Sequence, residues 1–135
     1  MLNVVVDASV VASALYPKDH RSVAAANRMR ASRALYAPAL LDFEVLQFIR
    51  RYASIDKELT RANIGETIDI LFSFPIRRVD TDRALMGRTL DLRDKLTAYD
   101  ASYVALAERL DATLVTADLK LAKAPGIRCA VEVIS

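Results

Sequence analysis

Short apolar runs alternate along this chain with longer segments in which apolar residues recur at helical spacing. The apolar runs predict strands near residues 2–6, 35–37, 76–79, 113–116 and 130–134. Strands that alternate with helices are typical of a parallel sheet with helices on both faces. The pattern therefore predicts an α/β fold built on a doubly wound parallel sheet of about five short strands.

Helix boundaries follow from capping residues and prolines. Ser9 is predicted to cap a first helix that ends at Tyr16 before Pro17, and later helices are predicted over residues 21–31, 39–52, 56–74, 82–93 and 98–110. Asp56 is predicted to start the fourth of these helices, Thr81 to cap the fifth and Thr97 to cap the sixth. Internal repeats and long linkers are absent from the sequence, so we expect one domain over residues 1–135.

Composition supports a compact globular protein. The chain has 135 residues, 53% of them hydrophobic and 27% charged, which excludes a disordered or linker-rich protein. Charged residues interrupt every apolar run before the roughly 18 residues that a membrane-spanning helix needs, and a signal peptide is not recognisable at the start. The single cysteine, Cys129, cannot form an internal disulfide. We therefore expect a cytoplasmic protein without membrane contact.

Two acidic residues follow predicted strands at the same edge of the sheet. Asp7 ends the first apolar run, and Asp118 comes soon after the fourth run. The carboxyl ends of parallel strands are where open α/β sheets bind ligands. An Asp in this position can also begin a turn or cap the next helix, and the sequence leaves that interpretation open for both residues.

Two more acids lie on apolar helix faces. Glu44 shares a face with Leu41 and Phe48, and Asp100 shares a face with Tyr103 and Val104. A carboxylate that faces a core is costly unless a cation or several hydrogen-bond donors accompany it. Glu44 could form a structural ion pair with an arginine, and Asp100 could simply interact with its helix dipole.

The four acids together predict a binding site for a divalent cation. The first and fourth strands flank the switch point of a doubly wound sheet, so Asp7, Glu44, Asp100 and Asp118 are expected to meet there. Clustered carboxylates repel each other unless a hard cation neutralises them, which predicts Mg²⁺, with Mn²⁺ as a substitute. With only His20 and Cys129 as nitrogen and sulfur ligands, a zinc site is excluded.

The motifs around these acids resemble those of the PIN domain nucleases, most closely the VapC-type toxins of toxin–antitoxin systems. The resemblance covers essentially the whole chain and rests on the order and spacing of Val5-Val6-Asp7-Ala8-Ser9, Pro38-Ala39-Leu40 with Glu44 and Gln47, Thr97-Ala98-Tyr99-Asp100-Ala101, and Leu114-Val115-Thr116-Ala117-Asp118. It implies that the four acids are catalytic and metal-binding, with Ser9, Gln47 and Thr116 in supporting roles. Gln47 departs from the family pattern, since many relatives have Asn there.

The resemblance also implies an activity and partners. It implies a Mg²⁺- or Mn²⁺-dependent endoribonuclease that hydrolyses RNA phosphodiester bonds, forms a homodimer and is inhibited by a VapB-like antitoxin. The mildly basic net charge of +2 permits an RNA partner without requiring one. A catalytically inactive PIN-like domain that binds RNA or protein is the alternative. A receiver domain is disfavoured because Asp7 is followed by Ala8 rather than by a second acid.

Overall fold

Five parallel strands form the centre of the molecule. The computed structural model describes residues 3–135, and within that range the strands are β1 (Asn3–Val6), β2 (Ala34–Pro38), β3 (Ile76–Val79), β4 (Thr113–Thr116) and β5 (Val131–Val133). They form one sheet in the order β3-β2-β1-β4-β5, and every neighbouring pair is parallel. The predicted α/β class and the strand positions are confirmed; Leu2, the predicted start of the first strand, lies outside the described residues.

Helices connect the strands and cover the sheet. Along the part of the chain that the structure describes they are α1 (Ala8–Leu15), α2 (Ser22–Arg30), α3 (Leu41–Ile55), α4 (Arg61–Ser73), α5 (Arg83–Asp91), α6 (Ala98–Leu110) and α7 (Leu119–Lys123). The prediction of α6 and of its Thr97 cap is confirmed, since the Thr97 side chain accepts a hydrogen bond from the Asp100 amide. The five-residue helix α7 was not predicted from the sequence.

The predicted start of the fourth helix at Asp56 is wrong. The Asp56 backbone is extended and its N–H donates to the Tyr52 carbonyl, so this residue ends α3 instead. Helix α4 begins five residues later, after Thr60, whose side chain and that of Asn63 form a reciprocal capping box. The side chain of Asp56 is used elsewhere, because it accepts a hydrogen bond of 2.8 Å from the Tyr16 hydroxyl.

Two other predicted caps are displaced by one or two residues. Helix α1 is capped by Asp7 rather than by Ser9, and α5 is capped by Asp82 rather than by Thr81. Each aspartate accepts a hydrogen bond from the backbone N–H three residues later, which satisfies a free amide of the first turn. The correction at Asp7 matters for function, because the residue that ends β1 also begins α1.

The core is continuous from the central strands to α6. Val4, Val5 and Val6 of β1 are at most 1% exposed because β1 has strands on both sides and helices on both faces. Helix α6 is buried from Ala101 through Ala107 and packs on β1, β2 and β4. Burial of each large apolar side chain contributes about 1.5–3 kcal/mol. The start of α6 is therefore held firmly beside the carboxyl ends of the central strands.

The chain reverses its direction of strand addition at β1. From β1 the chain adds β2 and β3 on one side, whereas β4 and β5 lie on the other side. Strands β1 and β4 are hydrogen-bonded neighbours with Val6 beside Val115, as expected from the sequence. Within residues 3–135, no helix combines the length and apolar character required to cross a membrane.

Candidate active site

Asp7 is the buried centre of the site. It follows β1 directly and is only 7% exposed. Its Oδ1 accepts hydrogen bonds from the Ser9 hydroxyl at 2.5 Å and the Val10 amide at 3.2 Å, and its Oδ2 accepts one from the Thr116 hydroxyl. A carboxylate has about four acceptor positions, so one position on Oδ2 is left for a ligand.

Ser9 and Thr116 fix Asp7 to the end of β4. The Ser9 hydroxyl accepts a hydrogen bond of 3.0 Å from the Ala117 amide, and the Thr116 hydroxyl accepts one of 3.0 Å from the Asp118 amide. Both hydroxyls therefore connect Asp7 to the segment after β4. The structure places both predicted supporting residues in direct contact with this carboxylate.

Burial changes the protonation of Asp7. Removal from water raises the pKa of Asp7 from 3.8 to about 6, even though the hydrogen bonds from Ser9, Thr116 and Val10 lower it. The negative charge of Asp100 raises the pKa of Asp7 further. Without a compensating cation, a substantial fraction of Asp7 is therefore protonated near pH 6.

Glu44 reaches the site from the first turn of α3. It is half-buried, and its Oε1 accepts a hydrogen bond of 2.6 Å from the hydroxyl of Tyr103 on α6. Burial raises the pKa of Glu44 most strongly, and the charges of Asp100 and Asp7 raise it further, while the Tyr103 hydrogen bond lowers it. Glu44 is thus electrostatically coupled to two of the other acids.

Asp100 lies in the first turn of α6 and is also half-buried. Burial raises the pKa of Asp100, the charge of Asp118 raises it further, and a hydrogen bond with the Thr97 side chain lowers it. The position is favourable for an acid because of the helix dipole, as the alternative interpretation proposed. The dipole does not account for the closeness of Asp118, which disfavours the charged form.

Asp118 caps α7 and is partly exposed. Its Oδ1 accepts a hydrogen bond of 2.9 Å from the Lys120 amide, so the capping interpretation of this residue is confirmed. The cap uses one oxygen and leaves Oδ2 available. Since Asp118 perturbs the pKa of Asp100, the capping role and a place in the acidic cluster occur together.

The four acids form an electrostatically connected cluster without an internal cation. Asp7, Glu44 and Asp100 each have a raised pKa, and the mutual couplings join all four residues. The ion-pair alternative for Glu44 is wrong, because no salt bridge among the described residues includes Glu44 or any of the other three acids. The cluster therefore has uncompensated negative charge in a partly dehydrated place.

The acids are close but do not form a closed cage. Among residues 3–135, no group of three or more His, Cys, Asp or Glu side chains is arranged to hold a metal ion. Asp7, Glu44 and Asp118 each use at least one oxygen for a protein donor. Mg²⁺ commonly binds one or two carboxylates and keeps its other ligands as water, so the all-oxygen donor set fits that ion without a closed cage.

Gln47 and Tyr103 differ from what the sequence predicts. Gln47 is exposed and its Oε1 accepts a hydrogen bond of 2.8 Å from Arg50, so its observed contact is on the surface rather than with an acid. Tyr103 contacts Glu44 directly but was treated only as part of an apolar face. The sequence feature that could have indicated this contact is the hydroxyl of Tyr103, which lies about one helical turn after Asp100.

Two cavities lie near the start of α6. One of about 340 Å³ is lined in part by Glu44 and Tyr99. A larger one of about 880 Å³ lies between α5 and α6 and includes none of the four acids. Size alone would favour the larger cavity, but its lining contains no cluster of groups with perturbed pKa values. The chemistry is therefore assigned to the acidic cluster.

Comparison with known proteins gives matches over nearly the whole chain. The family model of the PIN domain matches residues 4–127. Ribonuclease VapC1 of Mycobacterium tuberculosis is 36% identical over 130 residues, which cover 96% of each chain. VapC ribonuclease Mb0985 of Mycobacterium bovis is 35% identical over 131 residues, which cover 97% of this chain and 98% of the relative.

A solved structure shares the fold. The crystal structure of Mycobacterium tuberculosis VapC20, a toxin that cleaves the sarcin–ricin loop, superposes with a TM-score of 0.73. The two chains are 18% identical, and the match covers 98% of this chain and 99% of VapC20. At this level of identity the likeness establishes the fold alone, including the five-stranded parallel arrangement.

Proposed function

This chain belongs to the PIN domain family, and from that membership we propose that it is a metal-dependent endoribonuclease of the VapC type, the toxin of a toxin–antitoxin pair. The observation that carries the proposal is the cluster of Asp7, Glu44, Asp100 and Asp118, in which three pKa values are raised and no salt bridge within residues 3–135 compensates the charge. Such a cluster is unfavourable by itself and suited to a divalent cation.

The proposed cofactor is Mg²⁺, with Mn²⁺ as a substitute. When bound, such an ion neutralises charge on the phosphate and lowers the pKa of a water molecule that attacks phosphorus. Asp7 and Asp100 would hold it directly, because Asp7 keeps an acceptor position on Oδ2 and Asp100 shares its electrostatic environment. In this proposal the carboxylates of Asp7 and Asp100 are positioned before RNA binds.

The protein's own residues prepare the reaction. Ser9 and Thr116 fix the orientation of Asp7, so the carboxylate loses little freedom when it binds. In this proposal Glu44, which Tyr103 orients, and Asp118 would bind the ion through water or orient the attacking water. Burial of the cluster strengthens each of these interactions.

The proposed substrate and partners follow from the family. Relatives at about 35% identity over nearly the whole chain are named ribonucleases, which supports RNA as the substrate. The VapC type implies a VapB-like antitoxin that blocks the acidic cluster, and a homodimer as the assembly. The cytoplasm expected from the sequence is where such an RNA substrate occurs.

A catalytically inactive PIN-like binding domain remains the rival function. Loss of one or more acids would favour it, whereas all four are present and coupled in this chain. The rival predicts RNA or protein binding that does not depend on these carboxylates. It is therefore separated from the enzyme by the same experiment that tests the enzyme.

Purified protein should be incubated with total RNA in Mg²⁺ or Mn²⁺, and the fragment ends should be sequenced. We expect discrete cleavage sites that disappear with EDTA and in Asp7→Ala and Asp100→Ala. Asp69→Ala, which removes an exposed acid from α4, is the matched control and should cleave normally. Cleavage that persists in Asp7→Ala and Asp100→Ala would contradict the proposed site, and no cleavage by any form would favour the binding domain.

A further inference from the structure

An aromatic groove borders the acidic cluster. It is a cavity of about 340 Å³ whose lining includes Phe43, Glu44, Phe48, Arg51 and Tyr99. Two of these aromatic side chains face solvent, since Phe43 is 79% exposed and Tyr99 is 63% exposed. Single exposed apolar side chains are ordinary, whereas exposed rings grouped along one cavity are typical of a binding surface.

The two exposed rings immediately precede two of the proposed catalytic acids. Phe43 is followed by Glu44 in the first turn of α3, and Tyr99 is followed by Asp100 in the first turn of α6. The groove is therefore continuous with the acidic cluster, because Glu44 lines the one and belongs to the other. A ligand that fills the groove is therefore adjacent to the Glu44 side chain.

A cation completes the groove. The guanidinium of Arg51 lies 4.9 Å from the centre of the Phe48 ring, a cation–π distance that holds the charge against the groove wall. None of the salt bridges among residues 3–135 includes Arg51, so its charge is not neutralised by an acid of the described chain. It is available for a phosphate.

Resting on the proposed ribonuclease function, we propose that the aromatic groove binds one unpaired nucleobase next to the scissile phosphate of a single-stranded RNA. Phe43 and Tyr99 stack on the base, and Arg51 contacts the phosphate that flanks it. Aromatic stacking with an adjacent cation is how proteins hold unpaired bases, and a base can stack only when it is not within a duplex. The groove thereby selects single-stranded or looped RNA.

A protein segment fits the same surface less well. An apolar peptide offers no anion to Arg51, whose charge no salt bridge among the described residues neutralises. A nucleotide offers a flat π-face to the rings and an anion to the guanidinium, so it satisfies all members of the groove at once.

The first experiment distinguishes stacking on an aromatic ring from contact with any apolar side chain. Phe43→Leu and Tyr99→Leu keep an apolar side chain but remove the π-face, whereas Phe43→Tyr and Tyr99→Phe keep the ring. On a short single-stranded RNA that contains the cleavage site, we expect each Leu variant to raise KM about tenfold, with kcat nearly unchanged, and each ring-retaining variant to resemble the wild type.

Phe72→Leu is the matched control. Phe72 is 61% exposed and has the Arg78 guanidinium 5.2 Å from its ring, so it is an exposed cation–aromatic pair outside the groove, although Arg78 also pairs with Asp42. Its loss should leave KM unchanged. If Phe72→Leu raises KM as much as Phe43→Leu does, the effect is general and the proposal is overturned.

A second experiment removes the base from the RNA instead of the ring from the protein. RNAs with a single abasic nucleotide at each position beside the cleavage site should identify one position at which the wild-type KM rises about tenfold. At that position Phe43→Leu should cause no further rise, because the stacking partner is already missing. Additive effects at every position would contradict stacking in the groove.

Failure of this proposal is distinguishable from failure of the ribonuclease function. If the wild type cleaves RNA and both Phe43→Leu and Tyr99→Leu leave KM unchanged, only the aromatic groove proposal is overturned. If Phe43→Leu instead converts a dimer to a monomer in sedimentation and slows cleavage through kcat, the groove is an interface between copies. If the wild type cleaves no RNA, both proposals are overturned.

Discussion

The hydroxyl of Tyr103 on α6 donates a hydrogen bond of 2.6 Å to Oε1 of Glu44 on α3. Tyr103 is only 2% exposed, so its ring packs in the core while its hydroxyl reaches the acidic cluster. This hydrogen bond connects two helices whose first turns each contribute an acid. The rigidity of the core is thereby transmitted to the position of the Glu44 carboxylate.

Tyr103→Phe should slow RNA cleavage about tenfold while leaving the ring packing intact, since groups that orient a metal-site ligand typically have effects of this size. The Tyr103 hydrogen bond lowers the pKa of Glu44, so its loss should raise that pKa and shift the acidic limb of the pH–rate profile to higher pH. Cleavage rates measured across pH give both results.

Tyr16→Phe is the matched control for this prediction. It removes a hydrogen bond of 2.8 Å from a tyrosine hydroxyl to the Asp56 carboxylate, remote from the acids. Both variants should be destabilised, since each loses a hydrogen bond from a tyrosine hydroxyl to a carboxylate. An equal loss of activity in the two variants would show that Tyr103 acts only through stability.

Asp7→Asn should stabilise the metal-free protein at neutral pH. The folded-state pKa of Asp7 is about 6 against an ordinary 3.8, so the folded protein retains a proton that the unfolded chain releases. The stability from this proton is fully present below about pH 4 and is lost as the pH rises through about 6, a difference of about 3 kcal/mol. Thermal unfolding in EDTA from pH 4 to pH 7.5 measures it.

The quantity to compare is the difference in free energy of unfolding between Asp7→Asn and the wild type at each pH. Asp82, with a pKa lowered to about 2 by Arg109, contributes with the opposite sign but equally in both proteins. The stability of Asp7→Asn minus that of the wild type should therefore rise with pH. A constant difference across the range would mean that Asp7 is not protonated in the folded protein.

Mg²⁺ or Mn²⁺ should raise the melting temperature of the wild type at pH 7.5. An ion that binds only the folded state at 100 times its Kd adds about 2.7 kcal/mol to the free energy of unfolding. We expect no such increase in Asp100→Asn, and a normal increase in Asp69→Asn, which removes an exposed charge outside the cluster. Equal increases in all three proteins would indicate binding elsewhere.

Thr116→Val should destabilise the protein by about 1–3 kcal/mol, the usual cost of leaving buried hydrogen-bonding groups unsatisfied. The Thr116 side chain is fully buried, and its hydroxyl donates to Asp7 and accepts from the Asp118 amide. Thr116→Ser keeps the hydroxyl and should retain most of the activity that Thr116→Val loses. Chemical denaturation and cleavage assays on both variants test this, and equal activity would assign Thr116 a packing role only.

Much of the fold was predictable because central parallel strands are buried on both faces and leave continuous apolar runs in the sequence. Capping positions were less predictable, since Asp7 and Ser9, or Thr81 and Asp82, are both able to cap. Helix α7 has five residues and is too short to show a periodic pattern. These differences shift boundaries and leave the strand order unchanged.

The proximity of the acids was predictable from two features: Glu44 and Asp100 lie on apolar helix faces, where a carboxylate needs a compensating partner, and Asp7 and Asp118 follow two neighbouring strands. The contacts of Gln47 were not predictable, because the orientation of α3 decides which residues its side chains meet. Gln47 lies two residues from both Val45 and Ile49, roughly 200° around the helix from these buried residues. The Tyr103 hydroxyl was equally hidden, since a tyrosine on a core face has the same pattern whether or not its hydroxyl meets an acid.

One hydrogen-bond partner of Asp7 lies almost at the opposite end of the polypeptide, since Thr116 is 109 residues further along. β1 gains its β4 neighbour only after that late segment has been synthesised and has paired with it. A nascent chain on the ribosome thus carries separated acids rather than an assembled cluster. Assembly of the acidic cluster therefore requires nearly the whole chain, because the contacts that fix Asp7 include a residue of the last fifth of the sequence.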